Sequence, residues 1–439
     1  MCPPMVDPGD LADTAALGTR GTAWSPETRL YSDGAVVGAD GAPVVVPPHS
    51  RARRLAGTGF LDPGGAALPG AAEATDEAVR EARAQLAAAS VPGAGTAFAD
   101  MARTALVDVR TLLHPNGAMV AAASPYWRYV WPRDAGYCAA ALCLTGFHGD
   151  ALRILYRVAA LQEADGTWQA RYLPDGSGRV PDDRGTQLDG IGWTLWAAWV
   201  WARTAPRSRV TGGLAELAPC LLAAADAITA AVDPGSGLPR PSQDYWEHDT
   251  AEATLGSAAP LLLGARAGAD LLHRLAEHDA ALECARTSVV LRAGIEEHFA
   301  ALDYPRRATG GGRDASVAFL LPPFAPETPG PLAAWRRTVP ALRLANGGVR
   351  PGEEWADTET AWTPQVSLFA MTAASVGDEA LAGELLSWLD ARRTRLGCLP
   401  EKVTAAGRPA AVAPLALTGA SVLIALAALD GRPLPVPPI

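Results

Sequence analysis

The sequence predicts a mainly α-helical protein, a closed double ring of helices behind a short N-terminal extension that contains β-structure. Three observations predict it. From residue 96 onward, amphipathic segments follow one another with Gly- and Pro-rich loops between them. About twelve such segments fit, none much beyond about 25 residues and none with a sustained heptad, which excludes a coiled coil. Finally, the chemically loaded loops fall after every second segment, as in a ring of six inner and six outer helices. No fixed-period repeat runs through the chain, which argues against a solenoid.

The elements follow in order. Residues 1–95 form the extension: ETRLYSDGAVVGADGAPVVVPP (27–48) holds short strand-like pieces around DG turns, and ATDEAVREARAQLAAAS (74–90) is its one helical stretch. Residues 96–439 form the helical barrel domain, with helices expected near 97–113, 133–145, 148–164, 189–204, 213–232, 250–276, 277–300, 314–319, 331–343, 361–376, 377–392 and 413–429. The apolar runs Ala139–Leu144, Thr194–Trp201 and Ser421–Ala428 suit buried inner helices.

Composition narrows the function. A formal net charge of −10 and the lack of a basic run speak against nucleic acid or an anionic membrane as partner. No stretch reaches the roughly 18 uninterrupted apolar residues of a membrane helix. The start, MCPPMVDPGDLADTAALG, has neither a basic n-region nor an apolar h-region, so the chain reads as cytoplasmic. Six cysteines without a CxxC pair read as reduced, mostly buried thiols. The seven histidines show no HxxxH or HxH pairing, so no metal site is expected. GxSxG, phosphate-loop and dinucleotide fingerprints are missing, and no cofactor is implied.

Five loop clusters carry the remaining chemistry: YWRYVWPRDAGY (126–137), DRGTQLDGIGW (183–193), PSQDYWEHDT (241–250), NGGVRPGEEWADTETAW (346–362) and GCLPEKVT (397–404). Carboxylates or amide groups beside aromatic rings are the composition of a carbohydrate site, since sugar hydroxyls need bidentate partners and sugar C–H faces need flat platforms. Cleaving a glycosidic bond needs one protonated and one ionised carboxyl. Glu247, after Tyr245 and Trp246, suits the acid, because aromatic walls would disfavour its charge. Glu401 has Lys402 beside it to keep it ionised. These residues equally leave open a lyase or phosphorylase, or a sugar-binding protein without catalysis.

In this order the loops resemble the family 15 glycoside hydrolases, which include glucoamylases, glucodextranases and certain trehalases. YVWPRD (129–134) is similar to that family's substrate-gripping motif and QLDGIG (187–192) to its QxDxxG helix start. DYWE (244–247) is similar to the acid loop and LPEK (399–402) to the base loop, and VAPLALTGASVLIALAAL (412–429) looks like the helix after the base. The resemblance covers about 96–430 and implies an (α/α)6 barrel that hydrolyses α-glucosidic bonds with inversion, releasing a hexose from the non-reducing end. It implies Glu247 as acid and Glu401 as base. Tyr129, Trp131, Arg133, Asp134 and Asp189 would bind the terminal sugar, with Trp246, His248 and Arg350 further along and Trp127 near the attacking water. Two departures stand out. His248 follows the acid where the family has Glu or an apolar residue, and Trp127 replaces a common Tyr.

Overall fold

The computed structural model describes residues 29–438. The expectations for the chain start and for Cys2 lie outside these residues; the five described cysteines are free and buried. In the extension, β1 (Gly34–Val37) and β2 (Pro43–Val46) form an antiparallel hairpin, and α1 (Asp76–Ala88) follows with Thr75 capping it through the Ala78 N–H.

The barrel then alternates. α2 (Ala99–Thr111), α4 (His148–Ala159), α6 (Arg207–Ala231), α8 (His278–Phe299), α9 (Pro329–Leu342) and α11 (Glu379–Asp390) are outer helices. α3 (Pro132–Leu144), α5 (Asp189–Thr204), α7 (Leu255–Arg274), α10 (Thr363–Ser375) and α12 (Ala416–Leu429) are inner. α3 packs on α5, α5 on α7, α10 on α12, and α12 back on α3. The sixth inner place, between α7 and α10, is filled by a short 3-10 helix, Ala315–Leu320, which touches both. Sequence periodicity reads that segment as an ordinary helix. The structure keeps its six-residue length, shifts it by one residue and makes it 3-10: the Asp314 carboxylate fixes its start by accepting the Ser316 N–H, and Pro322 and Pro323 follow its end.

The inner helices are apolar all round, as a ring buried on both sides requires. Residues 416–427 of α12 are buried at every position except Leu417, and α5 sinks Trp193, Trp196, Trp199 and Trp201 into the core. α5 and α7 approach so closely that a Cβ at Gly192 would stand 1.9 Å from the Pro260 carbonyl oxygen, so only glycine fits there. α6 has the length and apolar composition to cross a membrane, but half of that stretch is buried and it packs on α7 and α8 as a wall of the ring.

Short strands complete the loops. β3 (Pro305–Arg307) pairs with β4 (Gly310–Arg313), while β5 (Ala361–Trp362), β6 (Lys402–Val403) and β7 (Pro409–Ala410) form one antiparallel sheet. The extension is tied to the barrel by several contacts, two of which lie near the candidate site loops. Arg54 forms a buried ion pair with Asp108 of α2 and reaches the Cys398 sulfur at 3.2 Å. The Tyr31 N–H donates to the Ala411 carbonyl at 2.6 Å, and the Ser32 hydroxyl to that of Ala413 at 2.8 Å.

Candidate active site

The candidate residues gather where the N-terminal ends of the inner helices open into loops. Positive helix ends suit carboxylates, and both Asp134 and Asp189 lie in a first turn. Arg133, on α3, is buried and central to the site. Its Nη1 donates to Asp189 Oδ2 at 2.9 Å and Gln187 Oε1 at 3.3 Å; its Nε lies 3.8 Å from Asp134 Oδ2, and its Nη2 3.8 Å from Glu247 Oε1. Burial pushes the Asp134 carboxyl up to about 6 against the pull of Arg133, and Glu401 adds to the rise. Beneath this group Trp193 donates its indole N–H to Asp189 at 3.0 Å, and Tyr137 packs among Trp193, Trp196 and Phe324. Tyr137 is therefore core, and these rings close the floor.

Glu401 sits just before β6. Its backbone N–H donates to Val412, and its carbonyl accepts the Thr363 N–H at 3.0 Å and the Thr363 hydroxyl at 3.1 Å. Its Oε1 accepts the Trp127 indole N–H at 3.1 Å, while Oε2 is buried and takes no hydrogen bond from any described residue. Burial raises its pKa; Lys402 and Trp127 act the other way. Lys402 acts in the expected direction but does not set the net shift. The ammonium lies 4.2 Å from the Trp362 ring centre, and desolvation of the carboxylate outweighs it.

Glu247 is built otherwise. Its φ is 54°, a left-handed conformation that a glutamate rarely adopts and that loops keep where a site requires it. The Trp131 indole N–H donates to its Oε1 at 2.7 Å, and Arg184 forms an ion pair with its Oε2. The aromatic wall expected from Tyr245 and Trp246 is corrected. The turn at Glu247 sends those two rings to Asp314, whose Oδ1 accepts the Tyr245 hydroxyl at 2.7 Å and whose Oδ2 accepts the Trp246 indole at 2.9 Å. Burial, and then Asp244, push Asp314 up to about 6.

The remaining expected residues fall around these carboxylates. Tyr129 and Trp131 meet edge to face at 5.9 Å, with the Arg171 guanidinium 4.5 Å and 5.1 Å from their ring centres. Trp246 is buried with Arg306 over its ring at 4.0 Å, and Arg306 also holds the fully buried Asp244 at 3.0 Å. His248 stacks on Trp355 at 5.4 Å and 6° between planes, and burial pulls its pKa below the ordinary imidazole value. It is therefore a neutral platform at pH 7. Arg350 is half-buried and no described residue bonds to its side chain; its N–H donates to Leu342, and the neighbouring Pro351 carbonyl accepts the Tyr245 hydroxyl at 3.3 Å.

Sequence reasoning missed Arg184, Arg171, Asp182, Asp314 and Tyr31. Asp182 holds both Arg171 and Arg184, the latter at 3.3 Å, so that it positions the guanidinium on Glu247. Tyr31 lies against Trp127 with ring centres 5.7 Å apart, which makes the N-terminal extension a wall of the site. Arg184 stood inside a quoted cluster, but nothing in its neighbours marks its target. Among the described residues no group of His, Cys, Asp and Glu could hold a metal ion.

No protein-family model matches the chain. An uncharacterized glycosyl hydrolase of Methanocaldococcus jannaschii is 36% identical over 97 residues, a stretch that is 22% of this chain and 15% of the relative's length. Among solved structures, a wild-type glycosidase is similar with a TM-score of 0.64 and 21% identity, over 76% of this chain and 96% of its own. A bacterial glucoamylase complexed with acarbose gives 0.65 and 15%, over 82% and 59%. The glucoamylase of Saccharomycopsis fibuligera gives 0.62 and 11%, over 72% and 89%. At these identities the likeness shows the fold, an (α/α)6 barrel.

Proposed function

We propose that this chain is a family 15 type glycoside hydrolase, an inverting, exo-acting enzyme that releases a hexose from the non-reducing end of an α-glucoside or oligosaccharide. The observation that carries the reading is Glu401. A buried carboxylate, made more basic by desolvation and with one oxygen unclaimed by the protein, is suited to take a proton from a water molecule. Trp127 holds the other oxygen and so fixes the direction of the free one.

In this reading the water attacks the anomeric carbon as Glu401 accepts its proton, and Glu247 gives a proton to the departing glycosidic oxygen. The Arg133, Asp134 and Asp189 cluster grips the hydroxyls of the terminal sugar. Rings beneath that cluster leave no passage for a longer chain, which favours exo action. Tyr129, Trp131 and Trp127 offer flat faces to the sugar ring. The structural likeness to glucoamylases and the order of the five loops support an α-glucoside substrate.

The test follows the anomeric proton signals while the protein acts on maltose, isomaltose, trehalose, kojibiose and nigerose. β-Glucose appearing first, and absent with Glu401→Gln, is the expected result. First appearance of α-glucose overturns inversion, and no product from any α-glucoside overturns the substrate class.

A further inference from the structure

A second cavity, mainly apolar but with a few polar groups in its wall, lies away from the two glutamates, between α7, α8, the 3-10 helix and the start of α9. It measures about 60 Å³ and is lined by Arg266, Arg292, Glu296, Tyr304, Leu320 and Thr328, among others. That volume exceeds the roughly 10–15 Å³ a single water needs.

Arg266 makes the cavity unusual. The residue is 6% exposed, and its guanidinium donates no hydrogen bond to, and forms no ion pair with, any described residue, although its nitrogens keep some contact with solvent. The other arginines buried to this degree each hold a carboxylate: Arg133 holds Asp189, Arg171 holds Asp182 and Arg306 holds Asp244. A buried charge without a counter-charge is costly. Burial, with Arg292 next, pushes the Arg266 pKa down to about 10 while Glu296 raises it, so the guanidinium remains charged at neutral pH.

The lining adds up in one direction. Arg292 is balanced by Glu296, 2.9 Å away, which leaves the positive charge of Arg266. α9 begins at this cavity as Pro329, Gly330 and Pro331; its N-cap Thr328 makes no side-chain capping bond, and because the two prolines have no N–H, Gly330 supplies the one backbone donor of those three residues. Tyr304 brings a hydroxyl to the same end, 3.1 Å from where a Cβ on Gly330 would stand. It does so through strained backbone, with φ of 65° at Asp303 and 55° at Tyr304, and Asp303 is anchored by Arg313 and Arg337.

We propose that this cavity binds a small oxyanion, inorganic phosphate or the phosphate group of a monoester, gripped by Arg266 and completed by the Gly330 N–H and the Tyr304 hydroxyl. A tetrahedral oxyanion supplies the counter-charge that Arg266 lacks and acceptors for the guanidinium fork. Glu296, at the solvent side and paired with Arg292, sets a limit on how much negative charge the mouth admits.

The test needs no glycoside. Thermal unfolding and isothermal titration are run with inorganic phosphate, methyl phosphate and, at matched ionic strength, chloride. Wild-type protein is expected to bind one phosphate saturably and to gain a few degrees in Tm well above Kd, as mass action requires. Arg266→Met loses the shift, Tyr304→Phe weakens it, and Glu401→Gln leaves it intact. Methyl phosphate matching inorganic phosphate assigns the site to a monoester; binding of inorganic phosphate alone assigns it to the free ion. An equal shift with chloride, the same shift in Arg266→Met, or no saturable binding by wild type overturns the proposal. Should Arg266→Met fail to fold, Arg266→Lys replaces it, with weakened binding expected and undiminished binding counting against the site.

Discussion

Glu401 stands on backbone locked by a small sheet, whereas Glu247 stands on a strained loop and is held by side chains. The first is pinned through Val412 and Thr363, and it keeps one oxygen free in a dry setting. The second has both oxygens engaged, one by Trp131 and one by Arg184, in a partly exposed position. The difference matches two jobs. A base must hold a free acceptor in a fixed direction, while an acid must regain its proton each turnover and needs access to solvent. If Glu247 is the acid, as proposed, its ion pair with Arg184 would have to loosen before it carries a proton.

The largest effect breaks this pair apart. Glu401→Gln is expected to lower kcat about 1000-fold with KM little changed, within the range for removing a general base. Glu247→Gln should fall as far on a disaccharide but recover on an activated fluoride or nitrophenyl α-glucoside, whose leaving group needs no proton. Steady-state kinetics on both substrate types decides it. Recovery in Glu401→Gln instead would reverse the assignment.

Next in size is the shared floor. Arg133→Met leaves Asp134, Asp189 and Glu247 without their common cation, and breaking such a buried pairing costs about 3–5 kcal/mol. Urea unfolding should show that loss, whereas Arg350→Met, where no described residue pairs with the guanidinium, should change stability little and act on KM.

How much of this was legible depends on how far apart the partners lie in the chain. Arg133 and Asp134 are adjacent and Glu247 and Glu401 sit in short dense motifs, so local composition marked them as candidates and the family resemblance supplied their expected roles. Helix positions followed from hydrophobic period, even for the 3-10 helix, although six residues are too few for periodicity to tell its type. Contacts between distant segments were not legible: Arg184 on Glu247, Trp246 on Asp314 and Tyr31 on Trp127. Each depends on how segments far apart in the chain, from the extension as well as from the inner-helix loops, are brought together. The left-handed backbone at Glu247 was equally hidden, and it reversed the expected role of the two rings before it.

A pH effect of intermediate size separates the two regions again. Asp134, on the shared floor, and Asp314, behind the acid loop, are both raised to about 6 by burial. A carboxyl that binds its proton more readily when folded favours the native state as pH falls through 6, and the gain is complete once the unfolded carboxyl protonates near 4. At about 1.4 kcal/mol per pH unit, each group contributes up to roughly 3 kcal/mol across that window. Asp134→Asn should remove its share. The check is the urea midpoint between pH 7 and 4.5, compared between wild type and variant. An unchanged slope would contradict the role of Asp134.

The smallest change acts on the base region alone. Trp127→Phe keeps a ring beside Tyr31 but removes the indole N–H from Glu401 Oε1. That donor lowers the Glu401 pKa against the rise caused by burial, so its loss lets the pKa climb further. The acidic limb of the kcat/KM profile should then move to higher pH, with a loss near neutral pH of about tenfold or less, as one hydrogen bond to a charged group would give. Trp131→Phe makes the same deletion at Glu247, where loss of a donor to the charged form should move the basic limb upward instead. Opposite limbs moving in the two variants would tie each tryptophan to its own carboxylate. A single limb moving in both would show that the two glutamates titrate as one coupled pair.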